Sequence, residues 1–370
     1  MFLLFTPCQW LTQMNNENYF KPLTGYRALA AFLVFIHHFS RFDRGSFLDA
    51  FTIGFSIGVP LFFVLSGFLI YTRYNTMAVS ISFYKRYFLN RFARIYPLYF
   101  LITTLTLLYT YGSDSFSPHW LSVYLLNITF LRGYIESLLF SLVAAGWTLT
   151  VEETFYILAP LLFSFAGDSI KKYMLAFLII FGCGWLLSFI SIDLLHGLPW
   201  HSHKFMVMST FFGHSFAFVI GIIVGILNNR LKDIPFKYST IVGFAGLIVC
   251  LLLMSQFIVI PPGEGRIFSW RWIFVYEFLV TPFIGAIIWG LIHERTYISR
   301  LLSTDTFQIL GKSSYAFYLI HYGILYSILC KYISCSGWIQ FPITLAISIL
   351  LWKFIEEPLN LRIRKRLFPG

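Results

Sequence analysis

The chain has 370 residues, 58% of them hydrophobic and 20% aromatic, with only 12% charged and a formal net charge of +11. A soluble chain carries about 25% charged residues, so this one has too little polar surface to face water, and lipid must be its main solvent. The basic residues lie in short segments between apolar runs, not on one polar domain. That argues against a nucleic-acid binder and for the positive-inside bias of a membrane protein.

The N-terminus reads MFLLFTPCQW and lacks the basic start of a signal peptide. Met14 opens an alternative start just before the first long apolar run, so residues 1–19 read as an extension. A spanning helix needs about 20 mainly apolar residues. Ten such stretches follow, at 22–41, 53–72, 95–111, 148–166, 173–192, 208–228, 238–259, 271–292, 313–333 and 339–356. Segment 81–93 mixes aromatics with Lys85, Arg86 and Arg91 and reads as an interfacial amphipathic helix. The loop 112–147 is long enough to hold further structure. Glu356-Glu357-Pro358 reads as a helix stop, followed by a basic tail over 359–370 that suits anionic headgroups. The expected architecture is all-α: one transmembrane bundle of about ten helices over 20–358, with no soluble domain.

Orientation follows from Lys and Arg. With the N-terminus inside, the inner segments hold 18 of the 27 and the outer segments 7, so both termini are expected in the cytoplasm. Of the five cysteines, Cys183, Cys250 and Cys330 lie in apolar runs and Cys335 just past one; Cys8 is near the start. They read as small buried thiols. Neither a disulfide framework nor a metal site is expected.

Ionisable groups inside a span cost about 2.5–3.5 kcal/mol each at the centre, so they are candidates for function. In the first span Arg27 and His38 are separated by eleven residues, which leaves them about 20° apart in azimuth and about 16 Å apart along the axis. His37 falls off that stripe. The bland alternative is a snorkelling arginine with an interfacial histidine. The fourth span opens WTLTVEETFY, where Thr148, Glu152 and Tyr156 share a face. A glutamate there could simply complement the helix dipole, and Trp147 could be a belt residue. In the ninth span Ser314 and His321 are two turns apart on one face. By depth, Arg27, Arg73, Arg94, Ser314 and Glu356 gather toward the inner surface. His38, Trp147 and Glu152 gather toward the outer one, with His321 between. Inner cations suit phosphates, and an outer histidine beside a carboxylate suits general base catalysis. A long phosphate-tailed thioester would fit between them.

Six segments together resemble integral-membrane acyltransferase family 3, which includes O-acetyltransferases of bacterial surface polysaccharides. They are LTGYRALAAFLVFIHHF at 23–39, GVPLFFVLSGFLI at 58–70, RFARIYPLY at 91–99, WTLTVEETFYILAPLL at 147–162, GKSSYAFYLIHY at 311–322 and IEEPL at 355–359. The resemblance spans residues 20–362. It implies that His38 handles the acyl group and Arg27 helps hold the donor, and it matches Trp147, Glu152, Arg94 and Glu356 to the family's segments. Together with the depth reading, Glu152 is expected as the catalytic partner of His38. Arg27, Arg94, Arg73 and Ser314 are expected as donor-binding residues, and Trp147, Tyr156, His321 and Glu356 along the acceptor path or pore. Ala28 departs from the glycine the family often shows there. The implied donor is acetyl-CoA or another acyl-CoA, and no cofactor is expected to be held permanently. The implied acceptor is a cell-surface carbohydrate, free or lipid-linked, such as an O-antigen, capsule or exopolysaccharide. The implied location is a bacterial inner membrane, in the stand-alone form without a fused hydrolase-like domain. The rival reading is a transporter or flippase of a glycan intermediate, since a bundle with buried charge serves that too. Only the enzyme requires a thioester.

Overall fold

The computed structural model describes residues 20–40, 42–75, 80–112, 118–194, 200, 202–231, 237–259 and 267–367. The chain is an all-α membrane bundle. In chain order the helices are α1 (Lys21–Phe39), α2 (Phe47–Tyr74), α3 (Ile81–Tyr111), α4 (Pro118–Ile128), α5 (Ala144–Ala166), α6 (Ile170–Leu194), α7 (His203–Arg230), α8 (Ser239–Phe257), α9 (Trp270–His293), α10 (Tyr297–Leu302), α11 (Asp305–Lys312), α12 (Ser314–Ile320), α13 (Ile324–Tyr332) and α14 (Gly337–Lys365). Two short strands, Ile258–Val259 and Ile267–Phe268, pair antiparallel beyond α8.

Among the described residues, eight helices are long and apolar enough to cross a membrane: α2, α3, α5, α6, α7, α8, α9 and α14. The sequence suggested ten, and the two that differ do so for different reasons. In α1, Arg27, His37 and His38 dilute an otherwise apolar helix. The expected ninth span, 313–333, is two short helices, α12 and α13, broken at His321–Gly323. Gly323 sits at φ +125°, a conformation that side chains with a Cβ rarely adopt.

Two other expectations are corrected. The segment 81–93 is not a separate interfacial helix. It is the first half of α3, which starts at Ser80, where the Ser80 side chain accepts from the Phe83 N–H at 3.1 Å, and runs on through Pro97. Nor does the last span stop at Pro358. A π-helical turn at Trp352–Glu356 precedes the proline, and the helix continues over Glu357–Leu367. Proline supplies no N–H to the turn before it, and a wide turn lets the helix absorb that loss without ending.

Close packing follows the small residues. A Cβ on Gly67 would strike the Phe218 carbonyl, and one on Gly221 the Val64 carbonyl, so α2 and α7 meet backbone to backbone. Peripheral helices turn large apolar groups outward, such as Leu178, Ile179 and Leu186 of α6 and Ile241, Val242 and Ile248 of α8. With lipid outside, that exposure has no hydrophobic cost. Residues 130–143 lie against α5, where Thr150 donates to the Phe130 carbonyl, and are held by Arg132, which is fully buried and donates to the carbonyls of Ser141 and Val143.

Cys330 and Cys335 form a disulfide across the turn from α13 to α14, contrary to the sequence expectation. Cys183 and Cys250 are free, and Cys8 lies outside the described residues.

Candidate functional site

α1, α2, α3, α5, α12 and α14 enclose a cavity of about 390 Å³, within the range of small-molecule sites. Six cations line it, Arg27, Arg73, Arg91, Arg94, Lys312 and Arg364, against the carboxylates Glu152, Glu356 and Glu357. Among the described residues, none of these arginines lies within salt-bridge distance of a carboxylate. Arg27 instead has Arg94, Glu356, Glu152 and Tyr156 as its electrostatic neighbours. Arg91 is 6% exposed and lies over the Tyr74 and Tyr156 rings at 5.9 and 5.6 Å. The cavity therefore has surplus positive charge, and guanidinium forks that no protein carboxylate occupies.

Glu152 belongs to this cavity. The Ser66 hydroxyl donates to its Oε1 at 2.9 Å and the Tyr156 hydroxyl donates to the same atom. The i, i+4 spacing of Glu152 and Tyr156 placed them on one face, and that face looks toward Arg27 and Arg91. His38 makes no hydrogen bond or ion pair with Glu152, so the expected His38–Glu152 partnership is absent.

His38 sits elsewhere, near the far end of α1, with its side chain exposed. Its ring stacks on Tyr322 at 4.9 Å and 19°, and lies 5.2 Å from His321 and 4.8 Å from His37. His37 points off the stripe, its Nδ1 donating to the Ile53 carbonyl at 2.8 Å.

Tyr318 stands between the two regions. Its ring packs edge-on to Phe62 at 5.7 Å and 5.5 Å from His321. Phe62, Thr148 and Tyr318 line the cavity, whereas His321, one helical turn further along, does not.

The remaining expected residues divide. Arg27, Arg73, Arg94, Tyr156 and Glu356 line the cavity. Ser314 does not, and its hydroxyl is used by the Gly311 carbonyl at 2.8 Å. Trp147 packs on His214 at 5.8 Å, away from the cavity. His214 and Glu277 form a fully buried pair at 3.0 Å, with His214 Nε2 donating to the Met208 carbonyl at 2.8 Å. A π turn in α9, Val275–Leu279, carries Glu277.

Sequence reasoning missed Arg91, Lys312, Arg364, Ser66 and Tyr318 as cavity residues. The cations were counted as orienting charge. Ser66 and Tyr318 carried a signal, as polar groups in segments GVPLFFVLSGFLI and GKSSYAFYLIHY.

The sequence matches the acyltransferase domain family over residues 22–355. A Staphylococcus aureus (strain COL) protein assigned by name only as an O-acetyltransferase is 25% identical over 374 residues, covering 94% of this chain and 58% of its own length. The peptidoglycan O-acetyltransferase OatA of Listeria monocytogenes is 26% identical over 382 residues, covering 94% and 57%. The O-acetyltransferase OatA of Staphylococcus aureus (strain NCTC 8325) is 24% identical over 382 residues, covering 95% and 58%. The chain thus spans under two thirds of the length of these relatives. No solved structure matches it.

Proposed function

Because the chain belongs to the acyltransferase family that it matches across residues 22–355, we propose that it is an O-acetyltransferase that moves an acetyl group from acetyl-CoA to a hydroxyl of a cell-surface carbohydrate. The observation that carries this reading is the cation-lined cavity that ends at Tyr318, one turn short of the His38–His321 pair. Coenzyme A is a thiol on a long arm with phosphates at its other end. Arg27, Arg73, Arg91 and Arg94 suit those phosphates, since a guanidinium pairs with phosphate in two parallel bonds. The arm would run past Tyr156 and Thr148 toward Tyr318, and the thioester would meet His38.

The acceptor arrives from the other side, where His38 is exposed. A neutral imidazole takes the hydroxyl proton as the oxygen attacks the thioester carbonyl. The ester C–O bond forms, the C–S bond breaks, and the proton passes to the departing CoA thiolate. An acyl-histidine intermediate would give the same products in two steps. The positive-inside bias supports cytoplasmic donor entry and a bacterial inner membrane. One relative is named for peptidoglycan, which makes peptidoglycan the first acceptor to try, ahead of an O-antigen, capsule or exopolysaccharide.

The test uses membranes and radiolabelled acetyl-CoA. Label should pass to macromolecular glycan in membranes that carry the protein, and His38→Ala should abolish transfer while retaining acetyl-CoA binding. Glycan movement that is independent of any thioester, with no label incorporated, would overturn the reading in favour of a transporter.

A further inference from the structure

His321 is 3% exposed. Its Nδ1 lies 2.7 Å from the Tyr318 carbonyl oxygen. A carbonyl can only accept, so Nδ1 carries the proton and Nε2 is left as a bare lone pair. Among the described residues this Nε2 has no hydrogen-bond partner. A buried acceptor without a partner is costly in a low-dielectric interior. It asks for an N–H or O–H to fill it.

Three rings surround His321: Phe317 at 6.4 Å, Tyr318 at 5.5 Å and His38 at 5.2 Å. Phe317 has no donor, and the Tyr318 hydroxyl, which accepts from Thr148 at 3.1 Å, makes no hydrogen bond to Nε2. His38 alone offers a ring N–H. Imidazoles whose centres are 5.2 Å apart can bring facing nitrogens to about 3 Å, the distance of an N–H hydrogen bond. The Tyr322 ring stacks on His38 at 4.9 Å and 19°, which limits how far the His38 ring can tip.

We propose that His321 is a positioning residue for His38, supplying through Nε2 the acceptor that the sequence had assigned to Glu152. The proposal rests on the reading of His38 as the acyl-transfer base. Tyr318 fixes the tautomer of His321, and His321 fixes that of His38. One His38 nitrogen donates to His321, which leaves the other as the lone pair that meets the acceptor hydroxyl. When His38 takes that proton, the imidazolium keeps its bond to His321 until the proton passes to the CoA thiolate. The logic is that of a hydrolase triad, with a neutral histidine in place of the carboxylate, which suits a site inside a membrane where a lone charge is costly.

The experiment compares His321→Leu and His321→Gln in membranes with acetyl-CoA. Gln keeps a side-chain acceptor near the Nε2 position and Leu keeps only bulk. Leu should lower kcat by about 10²–10⁴-fold, the usual worth of a general base step, with the KM and binding of acetyl-CoA unchanged. Gln should restore activity to within about tenfold of wild type on the same scale. Wild-type activity in His321→Leu, equal loss in both variants, or loss of acetyl-CoA binding in either would overturn the proposal. Retained transfer in His38→Ala would instead overturn the parent reading.

Discussion

Thr148 and Tyr318 meet hydroxyl to hydroxyl at 3.1 Å, and both side chains line the end of the cation-rich cavity. The contact closes that cavity one helical turn short of His321. If the cavity holds the proposed thioester, this contact would keep water on the His38 side away from it. Cutting the Tyr318 side chain back should therefore uncouple the enzyme. In Tyr318→Ala membranes, acetyl-CoA hydrolysis without acceptor should rise several-fold relative to transfer, whereas Tyr318→Phe should stay tightly coupled. Free thiol release measured against label in glycan gives the ratio, and an unchanged ratio in Tyr318→Ala would count against a barrier role.

The donor prediction turns on charge geometry. Arg27 and Arg94 line the cavity and, among the described residues, have no carboxylate in salt-bridge reach. Lys in place of Arg keeps the charge but loses the two-pronged fork. Arg27→Lys and Arg94→Ala should each weaken acetyl-CoA binding, by about tenfold or more on the scale of a charge-assisted pair at 1.5–3 kcal/mol. Unfolding temperature should be unaffected. Purified proteins and isothermal titration would show this, and wild-type affinity in both variants would remove these residues from the donor site.

Glu152 offers a sharper contrast, because its sign differs between two roles. As a carboxylate within the proposed donor site, it would oppose the donor's phosphates. Glu152→Gln removes one negative charge from that cavity, so acetyl-CoA should bind at least as tightly as in wild type, and more tightly at low salt, where charge is least screened. If Glu152 instead served His38 directly, the cost would fall on kcat at unchanged affinity. Donor titration at two salt concentrations, with parallel kcat measurements, separates the two.

The buried His214–Glu277 pair makes a stability prediction. Removing one partner of a buried pair costs about 3–5 kcal/mol, while replacing both with apolar groups is often tolerated. Glu277→Ala should lower the thermal unfolding midpoint in detergent by several degrees. The double change His214→Phe with Glu277→Leu should recover part of that loss. A single variant as stable as wild type would show that the pair is not an energetic anchor.

Sidedness can be tested through the disulfide. If the turn from α13 to α14 faces the oxidising exterior, Cys330 and Cys335 should resist a membrane-impermeant maleimide in intact cells until an impermeant reductant is added. Reporter fusions at 170 and 200 should read inside and outside. Labelling that needs cell lysis would invert the orientation.

The sequence carried a good part of this site. Residue counting on an ideal helix separated His38 from His37 and aligned it with Arg27, and the structure sends His37 to Ile53 and His38 to His321 and Tyr322. The class of fold was legible for the same reason: hydropathy reports lipid contact directly. What hydropathy cannot report is a change of backbone direction inside an apolar run. The break at His321–Gly323 is invisible in composition, with Gly323 as the only hint. Arg91 was read into an interfacial helix and Arg364 into a basic tail, and only the continuation of α3 and α14 as long helices brings them to the cavity. Glu152 was assigned by depth, when its direction decided its company. Cys330 and Cys335 were read as isolated thiols because five residues' separation says nothing until the turn that joins them is known.

That continuation of α14 past Pro358 changes what a late truncation would do. A stop codon just after the proline would leave every hydrophobic stretch in place, and the shortened protein would insert and look whole on a hydropathy plot. It would nonetheless lack Asn360 and Arg364, which form part of the wall where the cavity is most basic. Variation over residues 359–364 would then register as a change in affinity for the proposed donor rather than in membrane insertion.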